Sequence, residues 1–418
     1  MTTVTELELP SFDYADPELR GERFHSAMRE LREQSWIASM PLGFATLERE
    51  AGEFFLRSKA FTFPGLKIAE IFGIDDGPLY EEIRRNILHI NGKDHGRLRG
   101  LVNPAFTPRA VEKWRPAMRG FLEELWARVE NERRCDAVAA LCKPYPSQVI
   151  ATVMGASLED AGRLWDWSNL IQRQFGMSVV EERAQIEQAV TEFYAYAGEL
   201  LDRRRAQPGE DLISTLIAAE QEGDRLSDVE LVNLVLNVLV GGVDTTQSQL
   251  AHALRLFSDH PEQWALLAER PELAPQAVDE VLRFEPITPF TARIMREEVV
   301  YRDVTFPAGT VVMVSAFTAN RDPDDIADPG TFDITADRGS AKPLTFGAGI
   351  HYCLGANLAR AELQEALAFL APRMTGLELD GDPVYGSITG IYGLDALPVR
   401  FDAGLSPSPD GHANPDDN

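Results

Sequence analysis

Between Ser227 and Pro261 the chain runs thirty-odd residues without a proline. The stretch opens on a helix start signal, a serine followed three residues later by Glu230. From Leu231 to Val243 it is apolar nearly all round, interrupted only by Asn233 and Asn237 among its first residues. A helix of that length extends ~50 Å at 1.5 Å per residue, enough to cross a whole domain. One that is apolar on every side must be buried on every side, so the rest of the chain has to fold around it. The apolar part is shorter than the roughly 20 residues that span a bilayer, which favours a core helix over a membrane segment. At its centre the sequence turns to GGVDTT, Gly241 to Thr246. Two glycines, an acid and two threonines are poor helix-interior residues, and conflicts of this kind tend to sit at functional sites.

Helical periodicity also marks residues 109–132 and 181–206, where apolar residues recur every three or four positions. Strand-like runs lie mostly after Arg293, in EVVYRDVTF, GTVVMVSAF and ALPVRF. The pattern predicts a mainly α fold with a small β-rich subdomain. Residues 1–18 are acidic and proline-punctuated, residues 404–418 read as a disordered tail, and 19–403 are expected to form one domain.

Charge and cysteine usage remove several function classes. Forty Lys and Arg against 66 Asp and Glu leave a net charge of −26, the wrong sign for a nucleic-acid surface. The N-terminal residues lack a basic segment followed by an apolar one, so no signal peptide is expected and a cytoplasmic location fits. The three cysteines, Cys135, Cys142 and Cys353, make neither a disulfide framework nor a C-x-x-C metal motif.

Cys353 lies in FGAGIHYCLG, a ten-residue loop carrying three glycines and a histidine. The helix-forming run LGANLARAELQEALAFLAP follows at once, so the thiol sits just before a helix N-terminus, where free N–H groups and the helix dipole favour a thiolate. Glycines at 347, 349 and 355 let backbone approach a flat ligand. Here the sequence resembles the cytochrome P-450 family, whose haem signature F-G-x-G-x-H-x-C-x-G is matched at Phe346, Gly347, Gly349, His351, Cys353 and Gly355. Six such matches arise by chance on the order of once in 10⁸ starting points.

The resemblance covers roughly residues 20–401 and implies a haem b whose iron is held by the Cys353 thiolate. It implies that His95 and Arg99, at an H-x-x-x-R spacing, together with Arg293 and His351, bind the haem propionates. It implies that Glu280 and Arg283 form a structural pair behind the haem loop. Their usual arginine partner is not evident: Thr331 and Ala336 stand where arginines are common, and Arg338 is the nearest substitute. Gly241 to Thr245 match the oxygen-activating helix. Thr245 is expected to bond the Gly241 carbonyl, Asp244 to link the site to solvent, and the two to deliver protons.

The activity implied is monooxygenation: one atom of O2 enters a hydrophobic small molecule, terpenoid, steroid-like or aromatic, most simply as a hydroxyl group. A pocket drawing on Phe72, Phe175, Val240, Gly241, Phe290, Ile391 and Tyr392 is expected. Three cysteines cannot hold a four-cysteine cluster, so electrons are expected from a separate ferredoxin and ferredoxin reductase, the enzyme itself being a monomer. Lys93, Arg97, Arg109, Lys113, Arg115 and Arg119 offer a basic dock for such a partner. The alternatives are a peroxide-driven peroxygenase, disfavoured by Asp244 and Thr245, and a haem-thiolate sensor without turnover.

Overall fold

The structure is a computed structural model and describes residues 2–221, 226–339 and 341–404. Eleven of its helices matter below: α1 (Gly21–Gln34), α2 (Gly77–Arg85), α3 (Gly92–Val102), α4 (Arg115–Trp126), α5 (Pro144–Met154), α6 (Ala161–Gln172), α7 (Arg183–Ala206), α8 (Asp228–Gly242), α9 (Asp244–Asp259), α10 (Ala274–Phe284) and α11 (Ala356–Leu370). The main sheet has five strands, β1 (Ile37–Met40), β2 (Gly43–Thr46), β3 (Phe61–Thr62), β4 (Phe290–Met295) and β5 (Val311–Ser315), in the order β1-β2-β5-β4-β3. β4 and β5 are antiparallel, with Arg293 opposite Val312.

The long central helix starts where its sequence dictates. Ser227 Oγ accepts from the Glu230 amide at 3.2 Å, and the Glu230 carboxylate accepts from the Ser227 amide at 2.9 Å. It is one rod in direction but two helices in hydrogen bonding. α8 ends at Gly242, Val243 takes φ −92° and ψ −71°, and α9 begins at Asp244. Thr245 Oγ1 donates to the Gly241 carbonyl at 2.6 Å, taking the acceptor that a helical amide would have used. Among the described residues this is the one helix long and apolar enough to cross a membrane. It is packed on all sides by α5, α6, α7, α10 and α11, as a core helix is.

The glycine pair divides its work. A Cβ on Gly242 would stand 2.3 Å from Ile150 Cδ1 on α5, so that glycine permits close helix packing. A Cβ on Gly241 would meet nothing within 4 Å, because that face opens on the cavity.

Two terminal expectations fare differently. The N-terminal residues are not loose at their start: Thr2–Thr3 pair in parallel with Val304 and Thr305, and Val4 is fully buried. Residues 405–418 lie outside the described residues.

Candidate haem site

A cavity of about 430 Å³ lies between α8–α9 on one side and the Cys353 loop on the other. The loop is shaped by Gly347 (φ +68°) and Gly349 (φ +74°), conformations that side chains rarely adopt. Gly349 also passes so close to α1's neighbour in the chain, the Arg49–Arg57 helix, that a Cβ would fall 2.6 Å from the Leu56 carbonyl oxygen. The Cys353 amide donates to the Phe346 carbonyl at 2.9 Å and closes the loop. Burial pushes the Cys353 thiol above its ordinary pKa, against the amides of Gly355 and Ala356 and the charge of Arg99. In the protein alone burial wins, so a stable thiolate here calls for a cation at the sulfur.

One end of the cavity is crowded with cationic and imidazole side chains. Arg293 projects from β4 and is only 4% exposed. Its one hydrogen bond among the described residues goes from Nη1 to the Ala292 carbonyl, at 2.8 Å, and burial lowers its pKa to about 10. The His95 and His351 rings stand 4.5 Å apart, and Arg99 Nη2 donates to the Tyr352 carbonyl at 2.9 Å. His351 Nε2 lies 3.3 Å from Asn91 Oδ1. Burial, then the neighbouring His95, Arg293 and Arg99, drive the His351 pKa down to about 3. Among the described residues no carboxylate pairs with Arg293, Arg99, His95 or His351, so a buried guanidinium and a deprotonated imidazole are left for carboxylates, which a guanidinium fork binds well.

Sequence reasoning missed a further member of this end. His89 lines the cavity with both ring nitrogens buried and without partners, and burial lowers its pKa to about 4. Its ring occupies the space a Cβ on Gly65 would need, 1.7 Å from Cε1, and meets the edge of Phe63. Only its histidine-in-an-apolar-run sequence, ILHI, signals it.

On the opposite wall Asp244 is 5% exposed and points away from the cavity toward α6. Ser168 Oγ donates to its Oδ2 at 2.5 Å, and Asn169 Nδ2 stands 3.4 Å from Oδ1. Burial raises its pKa against these hydrogen bonds. From Asn169 a chain continues outward: Arg173 Nη2 donates to Asn169 Oδ1 at 3.0 Å, and Arg173 Nη1 to Glu182 at 2.8 Å. Arg173 is 42% exposed, so the acid meets solvent through side chains and not directly.

Behind the loop, Glu280 and Arg283 form a two-point pair, with both contacts at 2.7 Å. The third partner is Arg338, whose Nη2 donates to Glu280 Oε1 at 2.7 Å and whose Nε reaches Oε2 at 3.2 Å. Burial alone would raise the Glu280 pKa, but the hydrogen bonds of Arg283 and Arg338 hold it below the ordinary range.

Phe72, Phe175, Val240, Gly241, Phe290 and Ile391 line the cavity, as do Phe346 and Gly347. Tyr392 does not. It is fully buried between Phe24 and His252, and its hydroxyl accepts from the Gly21 amide at 2.8 Å. Apolar composition alone could not say which face of Ile391–Tyr392 turns inward. The proposed dock also changes: Arg97 is held by Glu230, Arg119 by Glu365, and Arg115 by Glu365 and Glu112, so half of its six side chains are engaged in ion pairs within the protein.

The cytochrome P-450 family profile matches residues 76–371. The chain belongs to that family. It is 37% identical over 403 residues to luteothin monooxygenase of Streptomyces thioluteus, covering 95% of this chain and 97% of the relative. It is 34% identical over 423 residues to 6-deoxyerythronolide B hydroxylase of Saccharopolyspora erythraea, covering 96% and 100%. The crystal structure of CalO2 superposes with a TM-score of 0.88 at 30% identity, covering 95% of this chain and all of that one. A relative solved with an acyl carrier protein bearing hexadec-9Z-enoic acid superposes with a TM-score of 0.84 at 30% identity, covering 91% and 99%.

This cytochrome P-450 is thus an oxidoreductase, a haem-thiolate monooxygenase with haem b as cofactor. The cavity fits that group: Cys353 on the floor, the Arg293 guanidinium without a carboxylate partner among the described residues, and Gly241 leaving the opposite wall open. The haem, when bound, supplies dioxygen binding and the oxidising chemistry.

Proposed function

We propose that this enzyme hydroxylates a large, mostly apolar small molecule that carries an aromatic or extended unsaturated part, drawing electrons from a separate ferredoxin and its reductase. The observation that carries the reading is the cavity wall itself, in which Phe63, Phe72, Phe175 and Phe290 face the space under Gly241 and Thr245. The relatives' names support oxidation of an organic small molecule: luteothin, 6-deoxyerythronolide B and mycinamicin IV.

In this reading Cys353 ligates the iron, and His95, Arg99, Arg293 and His351 hold the propionates. Thr245 presents its hydroxyl to the oxygen site, and Asp244 resupplies the proton, taken from water at the edge where Ser168 and Asn169, the latter braced by Arg173, hold the carboxyl. Burial holds the Asp244 carboxyl above its ordinary pKa, so it takes up a proton more readily than an exposed aspartate does. A ferredoxin would dock beside the haem loop, where Ile350 and Tyr352 are exposed and Lys93 stands two residues from the Asn91 that touches His351. The enzyme would work as a monomer in the cytoplasm.

The test is an optical titration of the haem-loaded enzyme with polycyclic, aromatic and long-chain probes, followed by product analysis with a ferredoxin, its reductase and O2. A saturable low-to-high-spin shift and a product heavier by one oxygen atom are expected. Turnover with peroxide alone, undiminished in Thr245→Ala, would replace this reading with a peroxygenase.

A further inference from the structure

The two asparagines that interrupt the apolar half of the central helix are not part of the oxygen site. Asn233 is 2% exposed, and Asn237 lies one turn further along the same face of α8. Both belong to a ring of buried hydrogen bonds centred on a carboxyl from another helix, Glu82 of α2, which is 1% exposed.

Glu82 Oε2 accepts from the Asn233 side-chain amide and from the Tyr194 hydroxyl on α7, the latter at 3.1 Å. Glu82 Oε1 accepts from Asn86 Nδ2 at 3.1 Å. Asn237 Nδ2 donates back to Asn233, to its carbonyl at 2.7 Å and its Oδ1 at 3.1 Å. The ring then closes on the backbone that follows α2: Asn237 Oδ1 accepts from the Ile87 amide, and Asn86 Oδ1 from the Leu88 amide, each at 3.0 Å. Residues 86–89 line the cavity, ending at His89 beside the basic end, so the ring fixes the path of this part of the cavity wall, the roof.

We infer that Glu82, acting through Asn86, Asn233 and Asn237, is a positioning residue for the cavity roof: it pins residues 86–89 to the central helix and so governs how readily the roof opens to admit a substrate. Three helices are joined at one carboxyl, and the ring reaches the cavity at Asn86 and Asn237. The inference rests on the cavity being the substrate site.

The carboxyl also makes the roof sensitive to pH. Burial raises the Glu82 pKa to about 7, against hydrogen bonds from Asn86, Tyr194 and Asn233 and the charge of Arg85. The groups facing it are the Tyr194 phenol from α7, whose own pKa is raised by burial and then by Glu82, and the neutral amides of Asn233 and Asn86. Its nearest cation is Arg85 on its own helix, itself paired with Glu81 at 2.6 Å. An opened roof hydrates the carboxyl and returns its pKa to the ordinary range near 4.5. The closed roof therefore holds the proton more tightly, and opening becomes easier as pH rises toward 7, then levels off.

Hydrogen exchange of the Ile87 and Leu88 amides in the haem-loaded enzyme reads this directly, after correction for the intrinsic pH dependence of exchange. Between pH 6 and pH 8 the roof should open about tenfold more often in the wild type. Glu82→Gln should abolish that pH dependence, and Asn237→Ala should lower protection at Ile87 at every pH. The carbon monoxide difference spectrum confirms that each variant still holds its haem. A Glu82→Gln profile that follows the wild type, or unchanged Ile87 protection in Asn237→Ala, would overturn the inference. Neither result depends on turnover, so a failure here is separable from a failure of the monooxygenase reading.

Discussion

The Thr245 hydroxyl has one hydrogen, and in this structure it goes to the Gly241 carbonyl at 2.6 Å. Thr245 lines the cavity, so in the proposed reading a proton delivered there arrives beside the oxygen site. Thr245→Ala should cut product formation by about 10²-fold, the lower end of what a positioned proton donor contributes. Thr245→Ser should keep most of it. Product formed per O2 consumed is the measurement, and wild-type yield in the alanine variant would remove Thr245 from the proton path. A second residue invites a stability test. Glu362 on α11 is fully buried, both carboxylate oxygens lack partners, and burial raises its pKa well above the ordinary range. The folded protein thus binds a proton that the unfolded chain releases near its ordinary pKa, so this group's contribution falls as pH rises from there to the folded value. Glu362→Gln, which cannot ionise, should unfold at a temperature less dependent on pH across that window. Melting curves of the haem-loaded enzyme at several pH values would show an unchanged slope if the carboxyl were already hydrated.

At the scale of elements, the GGVDTT break gives two adjacent glycines opposite surroundings, and substitution should separate them. Gly242→Ala drives a methyl into Ile150 and should cost about 1–3 kcal/mol, the usual range for overpacking, with Ile150→Val, which removes the Cδ1 at 2.3 Å but keeps the Cγ1 at 2.8 Å, restoring part of it. Gly241→Ala meets no atom within 4 Å and should leave the melting temperature unchanged while narrowing the cavity. Equal destabilisation by both would contradict the assignment of faces. The helix, its capping box and its defect could be read in the sequence because all three are local: periodicity, a Ser-x-x-Glu start and residues that a helix interior disfavours. The haem loop was legible for the same reason. What could not be read depends on distant partners. β1 and β2 have four residues each, too short to show a period, and exist because β2 pairs with β5 some 270 residues later. Thr2–Thr3 look like a loose terminus until Val304 and Thr305 supply the other strand. The Glu82 ring joins residues about 150 apart, and only the oddity of two asparagines in an apolar helix hinted at it.

For the whole molecule, the basic end of the cavity makes cofactor binding and folding opposed demands on the same residues. Without a carboxylate partner, Arg293 is a buried charge with one backbone acceptor, and its pKa near 10 shows that the interior disfavours the charged form. The fold tolerates this because β4 is held by β5 on one edge and β3 on the other, and because Glu280, Arg283 and Arg338 tie α10 to the chain leading into Cys353. Binding a group with two carboxylates would turn that cost into charge-assisted hydrogen bonds, so the cofactor should stabilise the folded state strongly. Arg293→Met tests the balance. Its apoprotein should melt no lower than wild-type apoprotein, because an unpaired charge has been replaced by an apolar chain of similar reach. Its holoprotein should lose haem to an acceptor protein about tenfold to a hundredfold faster, the loss of one hydrogen bond to a charged group. If the substitution instead destabilised apoprotein and holoprotein alike, Arg293 would be part of the sheet's packing, and the propionate role would pass to His89, whose two unpartnered nitrogens face the same cavity.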